Sequence, residues 1–287
     1  MLKPTQPWKG ASAIFATMHG KQQVVAPVLG RFLGVRVDVP KDIDTDRFGT
    51  FTREVPRLAS PLDTARAKAR HALASDPGAR LGIASEGSFG PDPVFPFVAA
   101  GQELLVIIDR ESDLELVGRS LDRRTNFAAT LLHSVEEAIG FAARARFPSH
   151  ALIAMATDEG RPAPQLWLRK GIVSATELLE TVATLLKTFG AAHLETDMRA
   201  HCNPTRMRAI KRATLDLARR YHCGCPDCGR PGYAVTARKA GLPCADCGSP
   251  TAQTLAKVWT CNGCMACREE LVDTRTADPR FCDRCNP

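Results

Sequence analysis

Hydrophobic and polar positions in the first 220 residues alternate between the period of short strands and that of amphipathic helices. Short apolar runs predict strands at 13–18, 35–39, 80–84, 103–109, 114–117, 150–156, 165–168 and 192–196. Apolar spacings of three and four residues predict helices at about 20–33, 61–75, 135–146, 174–189 and 204–220. This alternation predicts an α/β fold, a three-layer domain with a mixed β-sheet.

Start signals support four of the predicted helices. The dipeptides Ser60-Pro61 and Asn203-Pro204 each place a capping side chain before a proline at the first helical position. Ser134 and Ser174 each precede a glutamate by three residues, as in a capping box. These residues predict helices that begin at 61, 135, 175 and 204.

Four Cys-x-x-Cys pairs lie in the last quarter of the chain. Fifteen residues separate the first two pairs and seventeen separate the last two, and both intervals suit a four-thiolate zinc site. Each pair presents two thiolates from one turn, so two pairs complete the tetrahedral coordination of one zinc ion. We therefore predict two zinc sites formed by Cys225, Cys228, Cys244, Cys247, Cys261, Cys264, Cys282 and Cys285.

Spacing alone leaves open how the pairs combine. Sequential pairing, first with second and third with fourth, is favoured over an interleaved cross-brace, and Cys267 offers a competing register beside Cys264. A disulfide framework is the alternative to metal, but the total of 11 cysteines is odd and no signal peptide is recognised. Cys202 and Cys223 are expected to be spare thiols.

A zinc ion held by four protein thiolates has no position left for an activated water. Both sites are therefore expected to be structural, folding a small zinc-ribbon-like module at 221–287 behind an α/β domain at 1–220. No apolar run is long enough to span a membrane, and no cleavable leader is recognised. We expect a cytoplasmic protein with no membrane partner.

Net charge is concentrated near the zinc module. Residues 199–287 hold 15 Lys and Arg against 8 Asp and Glu, whereas the remainder holds 23 of each sign. Two zinc tetrathiolates, each formally −2, reduce the excess of +7 in that segment to about +3. Large planar rings are few there, so a stacking platform for single strands is not obvious. Nucleic acid is a possible partner but not the favoured one.

Polar groups recur where the predicted strands end. Thr17, His19 and Lys21 follow the first strand, and Glu86 follows the third. Ligands bind beyond the carboxyl ends of strands in open α/β sheets, so these groups are candidates for a site. A solvated loop charge is the alternative for each of them.

The segment 85–91 (SEGSFGP) is expected to be a turn after an apolar strand, with glycines that let the backbone approach a ligand. Glu86 is a candidate to hold a divalent metal or to act as general base on water. Ser85 and Ser88 beside it are candidate substrate-binding residues. An exposed acid in an ordinary turn is the alternative.

The segment 195–207 is the second candidate. Asn203 should cap the last helix, and Arg206 in its first turn conflicts with the helix dipole unless an anion binds there. Arg199 and His201 lie just upstream and could close on the same phosphate-type anion, with Asp197 as a candidate catalytic acid. The alternative is that the arginines pair with Glu195, Asp197 or other nearby acids.

The strings at 13–21, 44–51, 81–91 and 195–207, followed by the zinc knuckles, resemble an uncharacterised bacterial family catalogued as a domain of unknown function. Residues 13–90 also resemble, more distantly, the opening of the inosine-triphosphate-pyrophosphatase-like superfamily. That similarity rests on four strings: ATMHGK at 16–21, TARAKA at 64–69, SEGS at 85–88, and Thr205-Arg206. The sequence departs from the superfamily with His at 19 where Asn is usual, and with no histidine directly before Arg206.

This second resemblance implies magnesium-dependent hydrolysis of a nucleoside triphosphate. Thr17, Lys21 and Arg206 would then contact phosphate, and Glu86 would hold the metal or activate water. The leading hypothesis is thus a metal-dependent hydrolase of a nucleotide or other phosphorylated small molecule, with its site between 85–91 and 197–206. The alternatives are a non-catalytic zinc protein that binds nucleic acid or protein, and a structural zinc adaptor.

The stretch 41–58 is expected to be a mobile loop at the sheet's edge.

Overall fold

A computed structural model describes residues 6–40, 43 and 59–287 of the chain. The chain divides into two units, Trp8–Ala218 and Arg219–Pro287, each of which is described by itself. Apart from Ile43, the predicted loop at 41–58 lies outside the described residues.

The first sheet of the larger unit contains five strands: β1 (Ser12–Ala16), β2 (Arg36–Asp38), β3 (Leu81–Pro91), β4 (Ala99–Asp109) and β5 (Glu115–Asp122). Their order is β2-β1-β3-β4-β5, in which β1 runs parallel to β2 and β3 while β4 and β5 are antiparallel additions. The sheet is therefore mixed, as the sequence predicts.

Glycines in the sheet admit helices on both faces. A Cβ at Gly82 would lie 2.5 Å from the Ala69 carbonyl oxygen of α2 (Pro61–Ser75), and one at Gly118 would lie 2.1 Å from the Ala213 carbonyl oxygen of α5 (Pro204–His222). Side chains alternate along strands, and the register places Gly82 and Gly118 on opposite faces. A helix therefore packs on each face of the first sheet. A further helix, α1 (Gln22–Leu33), lies between β1 and β2 in the chain.

A second sheet corrects the prediction of a single one. Its strands are β6 (Ala129–Leu132), β7 (Leu152–Asp158), β8 (Arg161–Pro162), β9 (Leu168–Ile172) and β10 (Ala192–Thr196), and all their pairings are antiparallel. The apolar faces of α3 (Val135–Arg144) and α4 (Ala175–Phe189) pack on it. The hydrophobic pattern predicts strands at the positions of β7 and β10. It does not indicate that the two pair with each other in a second sheet instead of extending the first.

The predicted caps are confirmed at all four helices. The Ser60, Ser134 and Ser174 hydroxyls accept hydrogen bonds from the backbone N–H three residues on, at 3.2, 3.2 and 3.4 Å. Asn203 Oδ1 accepts from the Arg206 N–H at 3.0 Å, and its Nδ2 donates to Asn126 Oδ1 at 2.9 Å. Asn203 is fully buried, so it ties the start of α5 to the segment before β6.

The smaller unit is a β-meander. Strands β11 (Ala234–Ala240), β12 (Thr254–Thr260) and β13 (Cys267–Leu271) form an antiparallel sheet in that order. Its small core consists of Cys225, Cys261 and Tyr233, whose ring stacks on Trp259 at 5.5 Å. Across the described ranges of the whole chain, no helix is long and apolar enough to cross a membrane.

We expect Asn203→Ala to lower the unfolding free energy by about 2 kcal/mol or more. The change removes a cap, worth about 1 kcal/mol, and leaves buried amide and backbone groups without their partners. Ser134→Ala, which removes an exposed cap, is the matched control and should cost about 1 kcal/mol. Urea unfolding followed by circular dichroism measures both, and equal losses would contradict a buried anchoring role for Asn203.

Candidate functional site

Eight cysteines of the smaller unit form two tetrads. Within each, all the Sγ atoms lie within 4.8 Å of one another. Measured Sγ–Sγ distances are 3.6 and 3.8 Å in the tetrad of Cys225, Cys228, Cys261 and Cys264, and 3.9 and 3.6 Å in that of Cys244, Cys247, Cys282 and Cys285. A tetrahedron with Zn–S bonds of 2.3 Å has edges of about 3.8 Å. The two tetrads thus have the dimensions of zinc sites.

The tetrads are interleaved, so sequential pairing is wrong. The first Cys-x-x-Cys pair combines with the third, and the second combines with the fourth. The meander explains this order, because β11 separates the first pair from the second, β12 leads back to the third, and β13 leads to the fourth. Alternate pairs therefore meet at the same end of the sheet. The smaller unit is therefore a cross-braced β-meander, where the sequence predicted a zinc-ribbon-like module with sequential pairing.

The remaining cysteines lie outside both tetrads. Cys267 is the first residue of β13, where it pairs with Thr260, so the competing register is not adopted. Burial raises the pKa of Cys202 to about 11 and also raises that of Cys223. Neither thiol has the lowered pKa of a reactive cysteine.

Interleaving makes a specific prediction about metal content. The variant Cys225→Ser/Cys261→Ser removes two ligands from one site, so it should retain about one zinc per chain. The variant Cys225→Ser/Cys244→Ser damages both sites and should retain almost none. Elemental analysis of the purified proteins measures the difference, with about two zinc ions expected for the unaltered chain. Sequential pairing would reverse the order of the two variants.

The turn between β1 and α1 contains a buried hydroxyl without a hydrogen-bond partner among the described residues, that of Thr17. It lines a cavity of about 300 Å³, which the ends of β1 and β2 enclose with Met18, Gly20, Gln22, Val39, Pro40 and Ile43. Lys21 occupies the N-cap of α1, and no described side chain caps this helix. The positive end of the helix dipole therefore has no acidic residue in its first turn to balance it.

Lys21 extends from this turn to β3. Its Nζ donates to the Ser85 carbonyl oxygen at 3.2 Å and to Ser85 Oγ at 3.0 Å. The edge of β3 is open to it because β1 ends at Ala16, opposite Ala84. Burial, assisted by the charge of Arg206, lowers the pKa of Lys21 to about 8, whereas Glu86 and Glu103 act in the opposite direction.

Glu86 lies on the face of β3 that α2 covers. Its buried carboxylate forms an ion pair with Lys68 of α2. A cavity of about 460 Å³ opens on this face, lined by Glu86, Ser88 and Gln102 with apolar walls from Leu62, Leu104 and Leu121. The segment 85–91 is not a turn, because pairing with β4 continues from Leu81 to Pro91.

Arg206 belongs to the first turn of α5, which packs on the opposite face of β3. Its Nε donates to Glu103 Oε1 at 2.7 Å, its Nη1 donates to the Met198 carbonyl oxygen, and its guanidinium lies 5.3 Å from the Phe89 ring centre. A Cβ at Gly87 would lie 2.5 Å from Glu103 Oε1 and 2.8 Å from Arg206 Nη2, so only glycine leaves room for the pair. Arg206 and Glu103 are each 2% exposed.

Glu103 was not among the site residues that the sequence predicted. Burial raises its pKa, and the charges of Arg206 and Lys21 oppose that rise. Its position could have identified it as a buried acid, because alternation along the strand places Glu103 on the same face as Leu105 and Ile107, both fully buried. It supplies the negative charge that we expected from a bound anion beside Arg206.

Glu86 and Arg206 therefore do not meet in one cleft, which corrects the expectation that they share a pocket. Glu86 pairs in register with Leu104, and Gly87 pairs with Glu103, so the two charged groups lie on opposite faces of β3. Each is engaged by a charge of opposite sign. Lys21 lies at the strand edge between them.

The 197–203 segment is held largely by internal contacts. Arg199 forks onto Asp197, with Nε–Oδ1 at 3.1 Å and Nη2–Oδ2 at 2.6 Å, as the alternative reading anticipated. Asp197 is fully buried in this pair, and Asn203 is occupied by capping. Of the predicted site residues, Thr17, His19, Lys21, Ser85, Arg199 and His201 remain grouped around the β1–α1 turn.

Two histidines join the turn to the 197–203 segment. The rings of His19 and His201 stack with centroids 5.0 Å apart and planes 25° apart. Burial, together with the nearby Lys21, His201, Arg206 and Arg199, lowers the pKa of His19 to about 4. Burial and Arg199 also lower the pKa of His201. Both rings are therefore neutral at pH 7 in a cationic environment.

Glu103→Gln should destabilise the protein by about 3–5 kcal/mol, because it leaves the buried guanidinium of Arg206 without its counter-charge. Glu115→Gln breaks a partly exposed pair with Arg66 and should cost less than about 1 kcal/mol. Urea unfolding of the two variants provides the measurement. A loss at Glu103 as small as at Glu115 would contradict the structural role of the buried pair.

Comparison with known proteins adds one match. A family model described as a domain of unknown function, DUF6671, matches residues 68–287. No curated protein matches the chain.

Proposed function

The chain belongs to the DUF6671 family, and we propose that it binds the phosphate group of a small molecule at the β1–α1 turn and hydrolyses it, a nucleotide being the leading substrate class. The proposed phosphate ligands are Thr17, His19, Lys21, Arg199 and His201. The two zinc ions are structural under this proposal, because four thiolates close each coordination shell.

The observation that carries the proposal is the buried hydroxyl of Thr17, which has no hydrogen-bond partner among the described residues and lies beside a helix start that no described side chain caps. Leaving a buried polar group without a partner costs about 1–3 kcal/mol, which a ligand oxygen would recover. The dipole at the start of α1 favours negative charge, while the Gln23 and Val24 N–H groups already donate to the Gly20 and Lys21 carbonyl oxygens. A cavity of about 300 Å³ lies at the carboxyl ends of parallel strands, and Thr17 is the proposed ligand that lines it.

The charges around the turn support an anion rather than a cation. Among the residues that the structure describes, the buried cations Lys21, Lys68 and Arg206 stand against the buried acids Glu86 and Glu103, which leaves one positive charge in excess in that set. Burying an uncompensated charge is unfavourable, so an incoming anion would stabilise the cluster. Burial, together with the charges of Lys21, Arg206 and Arg199, lowers the pKa of His19 to about 4.

Magnesium, which the superfamily resemblance implies, suits the described residues poorly. The larger cavity is lined by two buried acids, Glu86 and Glu103, and each is engaged by a cation, Lys68 and Arg206 respectively. Magnesium is usually held by one or two carboxylates together with substrate phosphates. Here the ion would have to displace an ammonium group, so no step of the proposed reaction depends on it.

Binding without chemistry is the second candidate. The acids predicted to be catalytic, Glu86 and Asp197, are both held in buried ion pairs with Lys68 and Arg199. A carboxylate bound to a cation is a weaker base toward water. This arrangement favours a protein that recognises a phosphorylated molecule and leaves it intact.

A substrate panel separates the two candidates. The unaltered chain should release phosphate or pyrophosphate from at least one member of a panel of nucleotides and sugar phosphates, assayed with and without magnesium. Thr17→Val is nearly isosteric and removes only the hydroxyl, so it should weaken substrate binding about 5- to 100-fold. Thr214→Val is the matched control, because Thr214 is a buried threonine whose hydroxyl bonds its own helix at Ile210.

Ligand binding without product would support the non-catalytic candidate. Equal binding by the Thr17→Val and Thr214→Val variants would place the phosphate elsewhere. A panel that shows neither binding by thermal shift nor product would reject the proposal.

A further inference from the structure

The cavity at the β1–α1 turn contains a second oxygen atom that lacks a hydrogen-bond partner. Gln22, the first residue of α1, lines this cavity together with Thr17. The side-chain Oε1 of Gln22 is shielded from solvent and has no partner among the described residues, as is also true of the Thr17 hydroxyl. Buried polar atoms are nearly always hydrogen-bonded, so two such oxygens in one cavity indicate a ligand that bonds to them.

The helix itself does not use the Gln22 oxygen. The next three backbone N–H groups, at positions 23–25, donate to the carbonyl oxygens of Gly20 and Lys21. The start of α1 therefore has its own backbone hydrogen bonds, and no described side chain caps it. A capping role thus does not account for the position of this oxygen in the cavity wall.

The chemistry of the two oxygens restricts what the cavity can bind. An amide oxygen only accepts hydrogen bonds, whereas a threonine hydroxyl donates or accepts. Gln22 Oε1 therefore requires an O–H or N–H group, and a fully ionised phosphate carries neither. The other described lining residues have no charge: Met18, Gly20, Val39, Pro40 and Ile43. The cavity is thus suited to a neutral group that carries a hydrogen-bond donor.

The size of the cavity indicates more than a single bridging water. The volume is about 300 Å³, whereas one water molecule takes about 30 Å³ of liquid. Several heavy atoms of a ligand therefore fit in this space. Thr17 belongs both to this cavity and to the proposed phosphate ligands, so the neutral group and the phosphate would be parts of one molecule.

We infer that the cavity binds a neutral hydroxyl or N–H group of the phosphorylated substrate, which donates a hydrogen bond to Gln22 Oε1. This inference rests on the proposed phosphate site and narrows its substrate class. Sugar and polyol phosphates supply a hydroxyl, and nucleotides supply a ribose hydroxyl or the N–H group of a base. Simple alkyl phosphates have no such donor and are disfavoured.

Two matched pairs of ligands test this inference by calorimetry on the full zinc-loaded chain. Glycerol 3-phosphate and propyl phosphate share one carbon chain and differ in their hydroxyls. Adenosine 5′-monophosphate and purine riboside 5′-monophosphate differ in one amino group. In at least one pair, the member with the additional donor should bind about 5- to 100-fold more tightly, because it satisfies a buried acceptor. The pair that shows this preference identifies the donor as a hydroxyl or an amino group.

Variants of two neighbouring glutamines assign the preference to its acceptor. Gln22→Met retains an unbranched side chain of similar length and removes the amide oxygen. It should abolish the preference and leave the affinity for the ligand without the additional donor unchanged. Gln23→Met is the matched control, because Gln23 is the next residue of α1, is exposed, and does not line the cavity. This control should retain the full preference.

The outcomes separate the two proposals. Equal binding within both pairs would overturn the Gln22 inference and leave the phosphate site standing. A preference that survives in Gln22→Met would also overturn it, because another group would then accept the hydrogen bond. Loss of the preference in both variants would overturn it as well, since the effect would then belong to the helix in general. If the unaltered chain binds none of the four ligands, both proposals are overturned.

Discussion

The ion pair between Arg206 and Glu103 is the constraint on which the larger unit depends. It joins the first turn of α5 to the middle of the first sheet, and it is almost completely removed from solvent. Two charges in such a place are tolerated only when each has a partner of opposite sign and further hydrogen bonds. Gly87 leaves space for the pair, the Met198 carbonyl oxygen accepts a hydrogen bond from Arg206, and the Phe89 ring lies against its guanidinium. Glu103 Oε2 has no hydrogen-bond partner among the described residues.

Around this pair the larger unit separates two chemical environments across one strand. On the α2 face of β3, Glu86 and Lys68 form a neutral pair beside the larger cavity. At the strand edge, Lys21 adds a cation that the acids on either face offset only in part. Arg199 adds a further cation near the neutral histidine pair. Under the proposed function, this distribution of charge, more than the cavities themselves, would favour an anion at the β1–α1 turn.

Local signals in the sequence predicted local structure well. Ser60, Ser134, Ser174 and Asn203 fixed the starts of four helices, because a cap depends only on residues three or four positions apart. The grouping of Thr17, His19 and Lys21 beyond β1 followed from the polarity of parallel strands. The eight zinc cysteines were also identifiable, since each pair is a local motif.

Relations between distant segments could not be predicted in the same way. The partner of Arg206 lies 103 positions away on β4, and no spacing rule connects the two. The face on which Glu86 lies depends on the strand continuing past Ala84, whereas the sequence predicted a turn at 85–91. The division into two sheets and the interleaving of the cysteines are likewise properties of strand pairing, which hydrophobic period does not encode.

The cross-braced meander also sets an order in which the smaller unit can mature during synthesis. With adjacent pairs combined, a first ion could be enclosed once Cys247 had left the ribosome. In the observed arrangement a metal ion of the first tetrad could be enclosed only after Cys264 emerges, when both hairpin strands β11 and β12 are available. An ion of the second tetrad would be enclosed only after Cys285, so Cys244 and Cys247 would be open to oxidants and competing metals until the whole unit had been made.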